Sequence, residues 1–109
     1  MANAIKTWTA VSAADITTTD LIAVKAATAS ERYVVTAVTV SNLDTTTATR
    51  VDILSASTVI WSGPAAINGG GYSMKFDGIT CPANEALNAQ CGTAGATVRV
   101  AIEGYSTPG

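Results

Sequence analysis

Apolar and polar residues alternate along much of this chain with a period of two. Tyr72, Met74 and Phe76 alternate with Ser73, Lys75 and Asp77, and Val98, Val100 and Ile102 alternate with Thr97, Arg99 and Glu103. Such alternation predicts strands with one dry face and one wet face. Val34, Thr36, Val38 and Val40 alternate with Val35, Ala37, Thr39 and Ser41, a two-sided strand suited to a sheet interior. Shorter runs at 5–11, 21–26, 50–55, 58–62 and 85–91 bring the total to about eight strands. Tyr72/Met74/Phe76 and Val98/Val100/Ile102 are expected to point inward.

Turn signals separate these runs at short spacing. They are Thr17-Thr18-Thr19-Asp20, Ser41-Asn42-Leu43-Asp44, Gly63-Pro64, Asn68-Gly69-Gly70-Gly71, Asp77-Gly78, Pro82-Ala83-Asn84 and Gly92-Thr93-Ala94-Gly95. Gly supplies positive φ, Pro presets a turn, and Asn or Asp bonds nearby backbone. The Ala pairs at 13–14 and 26–27 lack helical periodicity and sit beside β-branched residues. The expected fold is all-β: a single antiparallel β-sandwich of about eight strands over residues 1–109, jelly-roll or Ig-like. Residues 1–8 read as an extended N-terminal arm and 105–109 as a C-terminal tail.

Composition removes function classes more than it names one. Histidine is absent, so Ser–His–Asp and Cys–His nucleophiles lose their base and zinc sites lose their commonest ligand. The net charge is −2 and the six cations lie singly, which argues against a nucleic-acid partner. The first residues lack a basic segment followed by an apolar one, and no apolar stretch approaches the roughly 20 residues of a spanning helix. The expectation is a protein made in a cytoplasm, with no membrane partner, no enzymatic activity, no cofactor and no metal.

Individual motifs point the same way. The Asn68–Gly71 loop has no following Lys-Ser/Thr and opens a strand, so it fails as a phosphate-binding loop. Asp15/Asp20 and Asp44/Asp52 flank turns, where such side chains bond backbone amides. Cys81 and Cys91 leave two readings open: two buried small residues, or a loop-closing disulfide. Trp8 and Trp61 are either core residues or subunit contacts. The large apolar inventory is lean for 109 residues and few charges guard the sheet edges. Burial against further copies or a larger surface would answer both problems.

Four stretches carry a resemblance. Thr19-Asp20-Leu21-Ile22-Ala23-Val24, Ile60-Trp61-Ser62-Gly63-Pro64, Gly69-Gly70-Gly71 and Glu85-Ala86-Leu87-Asn88-Ala89, with the Gly-punctuated run from Cys91 to Val100, follow an order similar to that of small all-β virion proteins of tailed bacteriophages. The resemblance spans residues 19–105. It departs at Asn84-Glu85, where Gly-Glu is commoner, and at Cys81-Pro82. It implies a capsid decoration (cement) protein, bound as a homotrimer or similar small oligomer to the major capsid protein lattice on the outer virion surface. The alternative within the same particles is a tail, head-fibre or receptor-binding component that contacts host glycan. Candidate interface residues are Ile5, Trp8, Trp61 and Tyr105, with the 2–8 arm expected to be removable from an intact sandwich. A solvent-facing cluster of Trp8 or Trp61 with Tyr72 or Tyr105 would favour glycan.

Overall fold

The alternating segments become eight strands in the computed structural model, which describes residues 6–109. They are β1 (Lys6–Val11), β2 (Ile22–Lys25), β3 (Glu31–Asn42), β4 (Thr49–Ser55), β5 (Thr58–Ala65), β6 (Gly71–Thr80), β7 (Leu87–Cys91) and β8 (Val98–Pro108). No helix occurs among the described residues. Two four-stranded antiparallel sheets form, in the orders β1-β8-β3-β6 and β2-β7-β4-β5. Pairing is nested: β1 with β8, β2 with β7, β3 with β6 and β4 with β5. A ribbon folded at β4–β5 and rolled up in this way is a jelly roll, which selects between the two architectures expected from sequence.

The topology sorts the connections into two ends. Loops 12–21, 43–48, 66–70 and 92–97 gather at one end, called here the loop end. Connections 26–30, 56–57 and 81–86 lie at the other, beside the start of β1 and the finish of β8. One core cluster fills the space between the sheets, with Val35, Val51, Ile53, Leu87, Ala89, Val98 and Ile102 fully buried. Each of the Val, Ile and Leu side chains contributes roughly 1.5–3 kcal/mol of burial. Val98, Val100 and Ile102 point inward as their alternation predicts, and so do Tyr72, Met74 and Phe76. The latter three are only half-buried, because β6 lies at a sheet edge.

Four local departures from the sequence reading have physical causes. A bulge between Val35 and Ala37 switches the inward phase of β3, from Tyr33 and Val35 to Val38, Val40 and Asn42. The uninterrupted alternation read across Val34–Ser41 therefore does not hold. Gly63-Pro64 is not a turn but the end of β5, where an edge strand tolerates Pro. Asp77-Gly78 lies inside β6, where Gly78 at φ 131° takes up a register shift against β3. Ile16, outside every strand expected from sequence, bridges Val98 and plugs the core at 1% exposure.

Residues 6–8 of the proposed arm and 105–108 of the proposed tail are strand residues of the sandwich, and residues 1–5 of the arm lie outside the described residues. Lys6, Thr7 and Trp8 pair with Ser106, Tyr105 and Gly104 in an unbroken ladder, and 105–108 belong to β8 between β1 and β3. Removing 6–8 would strip half of β1, so this part of the proposed arm is not detachable. Gly104 is where β8 crosses the β3 bulge. A Cβ there would run into the Val34 carbonyl oxygen on one side and the Trp8 ring on the other. Backbone cannot yield as a side-chain tip can, so Gly104→Ala is expected to destabilise by about 3 kcal/mol, the upper end of overpacking costs, as a lowered urea midpoint at unchanged slope.

Candidate interaction surfaces

Trp8 is built into the β1–β2 side of the sandwich. It alternates inward with Ala10, and its indole Nε1 donates to Ser106 Oγ at 3.0 Å. Its ring meets Tyr33 edge-on, with centroids 5.4 Å apart. The Lys25 Nζ stands 4.8 Å from the Trp8 ring and 5.1 Å from that of Tyr33, placing an ammonium over both π faces. The Tyr33 hydroxyl in turn donates to the Ala26 carbonyl. These contacts close the seam between the sheets. Ile5 lies outside the described residues.

On the β5–β6 side, Trp61 faces Phe76 edge-on at 5.2 Å. Tyr72 packs against Gly63 and its hydroxyl donates to the Val51 carbonyl at 3.0 Å. Burial, and then the Asp52 charge, push this phenol well above its ordinary value, so it stays protonated. Trp61 Nε1 is shielded from solvent and has no hydrogen-bond partner. Tyr105 is elsewhere, on the outer face of the first sheet. The candidate aromatics are thus dispersed. Trp61 and Tyr72 share an edge but both turn inward, and no solvent-facing pair with Trp8 or Tyr105 forms.

The carboxylates take up separate positions among the described residues. A shallow depression of about 490 Å³ on the outer face, at the β3 bulge, is lined by Thr7, Trp8, Thr9, Thr36, Glu103 and Gly104, with Glu103 its one ionisable group. Asp15 accepts from Arg99 Nε at 2.9 Å, a mostly exposed pair of small energetic value. No three His, Cys, Asp or Glu side chains gather as metal ligands among the described residues. Cys81 and Cys91 are free and buried. Their amides bond Tyr33 and Thr18, at opposite ends of the sandwich, with the length of β7 between them. A disulfide needs Cα atoms within about 7 Å, so the loop-closing bond is ruled out. Burial pushes both thiols up, which keeps them unreactive.

Asp52 sits on the outer face of the second sheet yet is only 4% exposed. Its carboxylate accepts from Arg50 Nε at 2.9 Å, Ser62 Oγ at 2.6 Å and Gln90 Nε2 at 3.2 Å, joining β4, β5 and β7. Burial pulls its pKa up, but these hydrogen bonds and the Arg50 charge together hold it below the ordinary value. Its role is to tie strands together, not to cap a turn.

The loop end is organised by another polar residue that sequence reading passed over as part of a turn. Asn42 is fully buried. Its Nδ2 donates to the Thr47 and Ala65 carbonyls, and its Oδ1 accepts from the amides of Asp44 and Thr97. One side chain therefore ties the 43–48 and 92–97 connections to the end of β5. Asp44 caps the next turn, accepting from the amides of Thr46 and Thr47 at 3.0 and 2.7 Å. A signal for Asn42 was present: it continues the inward phase of Val38 and Val40. On this framework stand Leu43 and Ile67, 42% and 37% exposed, with Leu21 and Val11 further round the same end. Val59, the remaining exposed large apolar residue among those described, lies at the opposite end.

Neither a protein-family model nor a curated protein matches the sequence. The surfaces above therefore carry the functional argument.

Asp52→Asn keeps the shape but leaves Arg50 without its counter-ion and turns an acceptor oxygen into a donor. It is expected to cost about 1–3 kcal/mol in chemical denaturation. Because Asp44 and Asp52 titrate below their ordinary 3.8 in the folded state, they stabilise it above that pH. That stability is lost as the pH falls from about 4 through their lowered values. In Asp52→Asn the acid-induced loss measured by urea titration should be smaller than in the parent.

Proposed function

We propose that this chain is a non-enzymatic structural protein of a tailed-phage virion: a capsid decoration protein, made in the host cytoplasm, that seats on the outer surface of the major capsid protein lattice as a small oligomer and stabilises the shell. The resemblance over residues 19–105 supports the class of protein. The jelly roll is compatible with it, since that architecture recurs in viral capsid and lectin domains, although a fold by itself names no function.

The observation that carries the reading is the loop end. Among the described residues, four of the five exposed large apolar side chains, Val11, Leu21, Leu43 and Ile67, stand there. Those flanking the Asn42 hub rest on loops already held by buried hydrogen bonds, so little ordering entropy is lost when they meet a partner. A modest contact of this kind, repeated by each member of an oligomer, gains strength through effective concentration. The dispersed aromatics do not make the stacking platform that the glycan-binding alternative calls for.

The test mixes purified protein with expanded shells of the phage whose genome encodes it and sediments the shells. The parent should bind saturably, at a fixed ratio to capsid subunits. Replacing both Leu43 and Ile67 by Asp should weaken binding at least about tenfold with the circular dichroism spectrum unchanged, since charged groups would be buried unpaired at the contact. Absence of the parent protein from sedimented shells, or undiminished binding by the double variant, would overturn the proposal.

A further inference from the structure

The two long sides of the sandwich are finished differently. On the β1–β2 side the seam is capped by the Lys25 ammonium lying over Trp8 and Tyr33. On the β5–β6 side no cation among the described residues plays that part. Trp61, Tyr72, Met74 and Phe76 all point into the seam, yet each stays only partly buried. Trp61 Nε1 is left without a partner, and β5, Thr58–Ala65, contains no charged residue. Natural sheets guard their edges with charge, and this side has charge only on the outer row of β6, at Lys75 and Asp77.

Those two charges decide what can cover the seam. Both are exposed, two positions apart on one strand, and neither belongs to an ion pair among the described residues. Residues opposite each other on antiparallel strands share a face, and opposite charges so placed attract. If two β6 strands meet antiparallel about Phe76, Lys75 of each copy faces Asp77 of the other. The two Phe76 rings then meet at the axis beside the Trp61 rings, and the half-open seams cover one another. The bulge at Gly78 limits the backbone ladder to the centre of this contact, so side chains carry most of it.

We propose that two copies of this chain associate about a two-fold axis across the β5–β6 edge, with Lys75 of one copy paired to Asp77 of the other. The pairing is reciprocal, as a two-fold interface requires. It rests on the edge of the sandwich and not on the virion reading; shell binding is tested through Leu43 and Ile67, and this dimer through β6.

Sedimentation equilibrium of the full chain over a wide concentration range provides the test. The parent should approach the mass of a dimer, and less readily at high salt because the charges are exposed. Lys75→Asp and Asp77→Lys place like charges opposite each other, and each alone should weaken self-association at least about tenfold while leaving circular dichroism unchanged. Mixing these two variants should restore a dimer containing one copy of each, and K75D/D77K together in one chain should restore the homodimer. A parent that stays monomeric or forms trimers, single variants that dimerise like the parent, or a mixture that fails to associate would each overturn the proposal.

Discussion

The ladder between β3 and β8 is the constraint on which the rest of the sandwich hangs. It joins eleven residues from Glu31 to Asn42 with those from Val98 to Pro108. β8 is also the strand that receives β1, so the first sheet has no middle until the last strand arrives. Its inward row of Val98, Val100 and Ile102 supplies core side chains that no local hairpin could bury. Because these contacts join distant parts of the chain, loop closure must precede most of the burial that compensates for it.

Where the ladder is interrupted, the surroundings are built to fit. The β3 bulge reverses which residues face the core, Gly104 lets the two backbones approach there, and the Trp8 ring occupies the space that a side chain at Gly104 would take. The same bulge brings Asn42 into the inward phase at the end of β3. A buried amide is costly unless its donors and acceptors are satisfied. Here four backbone groups satisfy it, and in doing so hold loops from both sheets together. The surface proposed for attachment is thus an outcome of how the core closes.

Polar residues divide between those that hold the sandwich and those that remain available. Asp52 and Asn42 are saturated by internal partners, whereas Lys75 and Asp77 stand exposed on an edge strand. The contrast between the seam capped by Lys25 and the one left partly open gives the molecule two chemically different sides. The proposed contacts, with a shell at the loop end and a second copy at the β5–β6 edge, would draw on this asymmetry.

All eight strands and the inward sets on β6 and β8 could be read from sequence, because period-two alternation is a local consequence of the pleat. The capping role of Asp44 was legible for a similar reason, since a short carboxylate reaches amides two or three residues on. Trp8, Trp61 and Tyr105 could be singled out by residue type, but their separation onto two sides and one outer face depended on strand order. So did the distance between Cys81 and Cys91, which stand ten positions apart in sequence but at opposite ends of β7. The inward phase of Asn42 was legible, but its partners, the Ser62 and Gln90 partners of Asp52 and the switch of phase at Thr36 needed tertiary structure, because they depend on other strands and loops. Alternation determines which side of a strand is dry; only the packed sheets decide which strands are neighbours, and hence which polar groups meet.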